Sequence, residues 1–199
     1  MYVGITGIIL CGGKSVRMGQ NKALLELGGM RVIERVIDVM GRIFPTLLLV
    51  ANTPGDYAFT GVETVRDVIP EGGSLVGLYT GLRHVKTDKA FAVACDMPFL
   101  NEALIRRMAD SSSNEDALIP RTLDGLQPLH ALYSASCVPT LAEVVGSGEK
   151  RIRKAFEGLT VREFGWDEIS PIDPEGRSFM NVNTPQEWER ALAIAGETA

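Results

Sequence analysis

The amino-acid sequence predicts an α/β, Rossmann-like fold of three layers, with a mostly parallel mixed sheet between two layers of helices. Short apolar runs of β-type composition recur early in the chain, and turn-forming or polar residues bound each of them. Each run is followed by a segment whose apolar residues have helical spacing. Alternating strands and helices form parallel sheets with right-handed connections, and such sheets bind ligands at the carboxyl ends of their strands.

The first half of the chain contains three predicted strands, at Ile5–Cys11, Thr46–Ala51 and Ala90–Cys95. Their near-continuous apolar character is typical of strands that are buried on both faces. Two amphipathic helices are predicted between them, because apolar residues recur at i, i+3 and i+4. These residues are Val32, Ile33, Val36, Ile37 and Met40 in the first helix, and Leu75, Leu78, Leu82 and Val85 in the second.

The second half is less regular. The predicted elements are strands at Ala117–Pro120, Pro128–Tyr133, Val161–Phe164 and Phe179–Val182, and helices at Val138–Val145 and Pro185–Ala195. Thr184 is the predicted N-cap of the last helix, with Glu187 placing negative charge in its first turn. The segment Gly165–Arg177 is polar and is predicted to be a loop.

Composition restricts the class of protein. A length of 199 residues, 45% of them hydrophobic and 23% charged, predicts one soluble domain. The formal net charge of −5 argues against a nucleic-acid partner, although a local basic patch could still bind a small anion. No apolar run approaches the roughly 18 residues of a membrane span, so no membrane partner is expected.

The cysteines and the N-terminal residues indicate in which cellular compartment the protein is expected. Cys11, Cys95 and Cys137 are odd in number and lack C-x-x-C spacing, so neither a disulfide framework nor a structural zinc site is predicted. The apolar stretch at the N-terminus lacks a basic region and a cleavage site. We therefore expect a cytoplasmic protein.

The segment Leu10–Lys22 carries the densest functional signal, with three glycines and three cations directly after the first predicted strand. Glycines let the backbone approach a ligand closely, and Lys14, Arg17 and Lys22 could contact a triphosphate from several sides. A P-loop, G-x-x-x-x-G-K-[ST], does not fit the sequence. If Gly13, which precedes Lys14, were its second glycine, the first glycine would have to stand at position 8, where the chain has Ile8. A glycine-rich surface turn with solvated lysines is the alternative.

Asp96 directly follows the third predicted strand, and its carboxylate is therefore expected at the ligand-binding edge of the sheet. Mg²⁺ commonly binds one or two carboxylates together with substrate phosphates, which makes Asp96 the candidate metal ligand. The alternative is a helix N-cap or a turn residue before Pro98.

Asn181 and Asn183 alternate with apolar residues, so their amides are expected on one face of a short strand. Two amides can recognise a polar heterocycle through their donors and acceptors. Capping of the last helix is the alternative for Asn183.

Together these motifs resemble the molybdenum cofactor guanylyltransferases. The matching motifs are G-G-x-S-x-R-M-G-x-N-K near the N-terminus, C-D-M-P-F-L in the middle, Q-P-L after Arg121, and N-V-N-T-P before the last helix. The resemblance spans nearly the whole chain. It implies a nucleotidyltransferase fold and the transfer of GMP from Mg-GTP to the phosphate of molybdenum-bound molybdopterin, with release of pyrophosphate.

The resemblance also implies roles for individual residues. Leu10, Cys11, Gly12 and Gly13 match the loop that wraps guanine and phosphates, and Arg17 and Lys22 match the cations on the triphosphate. Asn52 and Asp67, the latter after a short strand at Glu63–Arg66, match positions that contact the nucleotide, and Asp96 matches the Mg²⁺ ligand. Arg121, Gln127, Asn181 and Asn183 match segments on the molybdopterin side. The catalytic set is thus Arg17, Lys22 and Asp96.

The same resemblance divides the single domain into a nucleotide-binding half, residues 1–110, and a half that completes the molybdopterin site, residues 111–199. A basic cluster at Arg151, Arg153 and Lys154 either forms a solvated helix face or helps to hold the anionic pterin. GTP and molybdenum-molybdopterin are the expected substrates, and proteins that make or insert the cofactor are possible partners.

Two departures from the family pattern stand out. Many members have alanine where Cys11 stands and aspartate where Asn21 stands. The related molybdopterin cytidylyltransferases carry Ala-Ala-Gly in place of Cys11-Gly12-Gly13 and D-x-D-T-P in place of N-V-N-T-P, so both motifs indicate guanine. A cytidylyltransferase, a sugar-phosphate nucleotidyltransferase and a non-catalytic nucleotide- or cofactor-binding protein are the alternatives.

Overall fold

The computed structural model describes residues 1–12, 21–70 and 72–197. Its main feature is an eight-stranded sheet, seven strands of which follow the order β10-β7-β9-β6-β1-β4-β5, while β8 pairs with β7. The strands are β1 Ile5–Cys11, β4 Leu47–Ala51, β5 Thr64–Arg66, β6 Lys89–Ala94, β7 Ala117–Thr122, β8 Gly125–Leu126, β9 His130–Ser134 and β10 Val161–Phe164; β2 Glu26–Leu27 and β3 Met30–Arg31 form a separate hairpin.

The sheet is mixed but mostly parallel in its first half. β1 lies between β4 and β6 and is parallel to both, and β5 continues the parallel array beyond β4. β9 enters between β6 and β7 and is antiparallel to each, whereas β10 is parallel to β7. The predicted fold class is confirmed.

Helices cover both faces of this sheet and bury a core on each side. The α-helices are α1 Val32–Ile43, α2 Gly73–His84, α3 Glu102–Ser111, α4 Val138–Gly146, α5 Trp166–Ile169 and α6 Pro185–Glu197. Residues of α1 and α3 share one apolar cluster with β1 and β6. Residues of α2 and α4 form a second cluster on the opposite face. The two clusters arise because successive side chains of a strand point to opposite faces.

Most predicted elements are confirmed with shifts of one or two residues. β1 and β10 have the predicted bounds, and the two amphipathic patterns correspond to α1 and α2. The N-cap of α6 is also as predicted, since the Glu187 backbone N–H donates to Thr184 Oγ1 at 3.2 Å. In return the Glu187 carboxylate accepts from the Thr184 backbone N–H at 2.8 Å, which completes a capping box.

The predicted strand at Phe179–Val182 is wrong. Arg177–Phe179 forms a 3-10 turn instead, because the Asp173 carboxylate accepts from the backbone N–H groups of Arg177 and Ser178 and tightens the chain there. Beyond the turn the Val182 backbone N–H donates to the Asp96 carbonyl at 3.0 Å, just past the end of β6, and residues 180–182 form no strand.

The prediction of a loop over Gly165–Arg177 is also wrong in part, since α5 lies within it. The Glu168 carboxylate accepts from the Gly165 backbone N–H, and Ile169 is fully buried in the core. One local cap and one buried side chain thus stabilise a helical turn in a mostly polar segment. Within the described ranges, no helix is long and apolar enough to cross a membrane.

Candidate functional site

A cleft of about 990 Å³ opens at the carboxyl ends of β1, β4, β5 and β6. All four ends belong to parallel strands, so their last residues and the residues that follow converge on one edge of the sheet. Of the residues that the sequence analysis singled out, the cleft is lined by Leu10, Cys11, Gly12, Lys22, Asn52, Asp67, Asp96, Asn181 and Asn183.

Two polar oxygens in this cleft lack a partner within the described part of the chain. Asn52 follows β4 and Asp67 follows β5, and the Oδ1 atom of each is buried without a hydrogen bond. Burial raises the pKa of Asp67, an effect that the neighbouring Thr80 hydroxyl opposes. Buried acceptors without donors are costly, so this wall of the cleft is suited to a ligand that presents N–H or O–H groups.

The backbone approaches Asp67 closely at Gly12. A Cβ atom added to Gly12 would lie 3.6 Å from Asp67 Oδ2, and one added to Gly77 would lie 3.7 Å from Asp67 Oδ1. Larger side chains at either glycine would therefore extend into the space around this carboxylate.

Asp96 and Lys22 form the charged centre of the cleft. Burial raises the pKa of Asp96, while its own backbone N–H, Lys22 and Asn183 favour the carboxylate. The Lys22 ammonium donates to the Asn183 carbonyl at 2.9 Å and to Asn183 Oδ1 at 3.1 Å. Lys22 thus joins the N-terminal segment to the segment before α6.

Asn21 takes part in positioning Lys22. The Asn21 side chain caps the short 3-10 turn Lys22–Leu24 by accepting from the Ala23 backbone N–H at 3.2 Å, and its amide donates to the Tyr57 hydroxyl at 3.1 Å. Tyr57 is buried and lines the cleft. The amide of Asn21 is therefore satisfied by a hydroxyl that can accept from it.

The two asparagines before α6 lie as their alternation predicts. Asn181 and Asn183 line the cleft, whereas Val182 between them is buried against α6. Capping by the Asn183 side chain is not observed, since it is the Asn183 backbone N–H that donates to Glu187, at 2.6 Å. The side-chain oxygen of Asn183 is directed to Lys22 instead.

Arg121 and Gln127 are not brought together with the residues of the cleft. The Arg121 guanidinium forms an ion pair with Glu163 on β10, and this contact raises the pKa of Arg121. The Gln127 amide donates to Thr122 Oγ1 at 3.0 Å. Both residues belong to the β7–β8 hairpin region, and neither lines the cleft.

A second cavity of about 450 Å³ is lined largely by basic residues. Its lining comprises Ser74, Lys150, Arg151, Ile152, Arg153, Lys154 and Glu157. Ser74 also lines the first cleft, so the two cavities are neighbours. Arg153 donates to the Leu126 carbonyl at 3.4 Å and thereby contacts the β7–β8 hairpin.

Gly13, Lys14 and Arg17 lie outside the described residues, so the predictions for them stay predictions. The structure adds cleft residues that the sequence analysis did not assign to the site, among them Tyr57, Arg66 and Ser74. Arg66 could have been found, because it ends a predicted strand immediately before Asp67. Tyr57 could not, because its position depends on the 3-10 helix Pro54–Thr60 folding back over the cleft.

Comparisons with known proteins agree with this geometry. The family model of the MobA-like NTP transferase domain matches residues 7–163. A molybdenum cofactor guanylyltransferase of Desulfosudis oleivorans is 36% identical over 191 residues, with 95% of each chain covered. A probable molybdenum cofactor guanylyltransferase of Pelotomaculum thermopropionicum is 34% identical and covers 96% of this chain and 93% of its own.

Solved structures show the same architecture. The molybdopterin-guanine dinucleotide biosynthesis protein A of Archaeoglobus fulgidus superposes with a TM-score of 0.84 at 27% identity, over 96% of this chain and 99% of its own. The 4-diphosphocytidyl-2C-methyl-D-erythritol synthase of Anaerococcus prevotii, at 15% identity, shares the fold with a TM-score of 0.74 over 98% of this chain and 96% of its own.

Proposed function

Because this chain belongs to the molybdenum cofactor guanylyltransferase family, with its MobA-like NTP transferase domain, we propose that it transfers GMP from GTP to molybdenum-molybdopterin. The products are molybdopterin guanine dinucleotide and pyrophosphate. The observation that carries the proposal is a single cleft that holds the Lys22 ammonium, the Asp96 carboxylate and two buried acceptors without donors.

The two free acceptors favour guanine over cytosine. Asn52 Oδ1 and Asp67 Oδ1 both need donors. The Watson–Crick edge of guanine offers N–H donors from N1 and N2, and the ribose of any nucleotide adds hydroxyls. Cytosine offers one amino group beside two acceptors, and acceptors facing Asp67 would be repelled. In this proposal Leu10, Cys11 and Gly12 form the backbone wall around the base and phosphates, and the same role is proposed for Gly13, which lies outside the described residues.

The reaction requires no general base. A phosphate monoester oxygen of molybdopterin attacks the α-phosphorus of GTP, the bond from that phosphorus to the bridging oxygen breaks, and pyrophosphate leaves. A phosphate monoester has its second pKa near about 6, so the nucleophile is already ionised at neutral pH. Accordingly, His84 is exposed at the end of α2 and His130 is buried in the core, and neither lines the cleft.

What the reaction does require is that the charge of two anions be neutralised as they meet. We assign Lys22 to the triphosphate, together with Arg17, whose position is outside the described residues. Positioning and electrostatic stabilisation of this kind contribute most of the acceleration in phosphoryl and nucleotidyl transfer.

The residues of the cleft fit a magnesium ion. Asp96 has a partly buried carboxylate whose pKa is raised by desolvation, and a divalent cation would offset that cost. No group of three acidic, cysteine or histidine side chains suited to a metal exists among residues 1–12, 21–70 and 72–197, so the protein would supply one carboxylate and the nucleotide phosphates the other ligands. Bound there, Mg²⁺ would neutralise phosphate charge.

We assign the binding of molybdopterin to Asn181 and Asn183 in the cleft and to the residues around the second cavity. Arg121 and Gln127 are close to this region through the β7–β8 hairpin, which Arg153 contacts. Arginine and lysine side chains around one cavity suit an anionic pterin phosphate. On this proposal residues 1–110 bind the nucleotide and residues 111–199 complete the acceptor site within one domain.

Three further features accompany the proposal. The enzyme works in the cytoplasm, which agrees with the three free cysteines at Cys11, Cys95 and Cys137. It uses Mg²⁺. It exchanges its cofactor substrate and product with proteins that make or insert the molybdenum cofactor.

Nucleotide selectivity is tested by thermal unfolding with GTP, CTP, UTP or pyrophosphate, each with Mg²⁺. A ligand at 100 times its Kd stabilises the folded state by about 2.7 kcal/mol, which raises Tm by roughly 5–10 °C in a protein of this size. We expect the full increase with GTP and a smaller one with CTP and UTP. Pyrophosphate serves as the control that isolates phosphate binding. An increase with CTP that equals or exceeds that with GTP would contradict the guanine assignment.

A further inference from the structure

Two cysteines lie side by side at the floor of the cleft. Leu10 of β1 is in register with Ala94 of β6, so the next residues, Cys11 and Cys95, are neighbours on parallel strands and share one face of the sheet. The Cys95 backbone N–H donates to the Leu10 carbonyl at 3.1 Å, which extends the pairing to this position. Both cysteines line the cleft.

The two thiols belong to the same apolar cluster on one face of the sheet. The neighbouring Cys11 thiol and burial raise the pKa of Cys95. The Cys11 thiol also lies 3.7 Å from the Ile9 carbonyl, a hydrogen bond within its own strand. Strands are spaced about 4.8 Å apart, and disulfides span Cα separations of about 4.4–6.8 Å, so the backbone separation permits a bond between the sulfurs.

We propose that Cys11 and Cys95 are a modification site, at which oxidation by a small-molecule disulfide forms a reversible Cys11–Cys95 disulfide and inactivates the protein. One thiol attacks the small disulfide and releases its first thiol. The other cysteine then attacks the mixed disulfide and releases the second. Two electrons and two protons pass from the cysteines to the two released thiols, and one protein S–S bond is formed.

The position of the pair links this bond to the cleft. Gly12 directly follows Cys11 and Asp96 directly follows Cys95. A disulfide needs Cβ atoms about 3.8 Å apart, which is closer than the strand spacing, so the bond draws the two strand ends together. Gly12 and Asp96 then shift, and the wall of the cleft between them narrows. Strained bonds of this kind are readily reduced, which makes the modification reversible.

Cys137 provides the matched control within the chain. It is buried in the core on the opposite face of the sheet, where its thiol donates to the Asp116 carbonyl at 3.1 Å. Burial raises the pKa of Cys137 to about 12, as burial also raises the pKa of Cys95, so the control differs from the proposed pair in its neighbours. It has no neighbouring cysteine, since the other two cysteines of the chain lie together at the cleft.

The test treats the full-length protein with oxidised glutathione and maps its peptides without reduction. Trypsin separates the three cysteines, because it yields residues 1–14, 90–106 and 122–150. We expect a cross-linked peptide of 1–14 with 90–106, at least a tenfold loss of GMP transfer, and recovery of both after dithiothreitol. Cys137→Ala should behave as the parent does.

Cys95→Ala and Cys95→Ser should form no cross-link and should keep their own untreated activity under the same oxidant. The serine variant retains a small polar side chain if alanine impairs folding. The proposal is overturned if the parent yields no cross-linked peptide, or if both Cys95 variants lose as much activity as the parent. The peptide map does not depend on the nucleotide used, so its outcome is separate from that of the proposed guanylyl transfer.

Discussion

Replacing Asp96 by asparagine is expected to lower GMP transfer by about 10²–10³-fold, which is the typical loss when one preorganised electrostatic group is removed from an active site. The amide would keep the shape of the side chain and one oxygen. It would remove the negative charge that we assign to the binding of Mg²⁺. The measurement is pyrophosphate release with GTP, Mg²⁺ and molybdopterin.

The same variant should remain folded. Burial raises the pKa of Asp96, so removing its charge removes a desolvation cost, and the thermal midpoint should stay the same or rise. Asp38→Asn is the matched control, because Asp38 is exposed on α1 in a surface pair with Arg42 at 3.3 Å. Such pairs contribute little. Turnover by Asp96→Asn within threefold of the parent would refute the metal role.

The second large effect concerns stability at low pH and depends on His130. Its ring is fully buried, with centroids 5.4 Å from Phe91 and 4.9 Å from Phe179, and neither ring nitrogen has a hydrogen-bond partner in the described part of the protein. Burial lowers the pKa of His130 to about 4, against the opposing influence of the Asp173 carboxylate and the Ser178 backbone.

The sign of the effect follows from this lowered pKa. An unfolded histidine titrates near about 6.5, so as the pH falls the unfolded chain takes up the proton before the folded one does. The contribution of His130 to stability is therefore fully present above a pH of about 6.5 and is lost as the pH falls toward about 4. A difference of about 2.5 pKa units corresponds to about 3 kcal/mol in the free energy of unfolding.

Urea unfolding between pH 4 and 7 measures this effect. His130→Leu, which has a similar volume, should remove most of the decline that the parent shows over this range, whatever its own stability at pH 7. His84→Gln is the control: His84 is exposed, its ring nitrogen lies 2.8 Å from the Thr80 carbonyl, and this variant leaves His130 in place. Parallel pH profiles for the parent and His130→Leu would contradict the prediction.

The sequence predicted those parts of the fold that depend on local patterns. β1 has the predicted bounds because Gly4 and Gly12 border its near-continuous apolar run, and all seven of its residues are buried. α1 and α2 follow from apolar spacing. The strands β2, β3 and β8 lack such patterns, since strands of two residues show no period. The 3-10 turn at Arg177–Phe179 depends on Asp173, a buried carboxylate whose effect is not visible in the alternation of apolar residues.

The candidate site was predictable where it depends on the ends of strands. Asp67 and Asp96 each follow a predicted strand, and parallel pairing necessarily brings them to one edge of the sheet. Arg121 and Gln127 were harder to place because they border a hairpin whose direction the sequence does not specify. The placement of Cys11 beside Cys95 required the register of β1 against β6, which only the structure supplies.

The central claim is tested most directly by a competition assay. The protein is incubated with equal concentrations of GTP and CTP, Mg²⁺ and molybdenum-molybdopterin, and the dinucleotide products and pyrophosphate are quantified. A site whose acceptors pair with the N–H donors of guanine should favour GTP over CTP by at least about a hundredfold. We predict molybdopterin guanine dinucleotide in at least that excess, with one pyrophosphate per product. A predominance of the cytosine dinucleotide, or nucleotide binding without pyrophosphate release, would contradict the account.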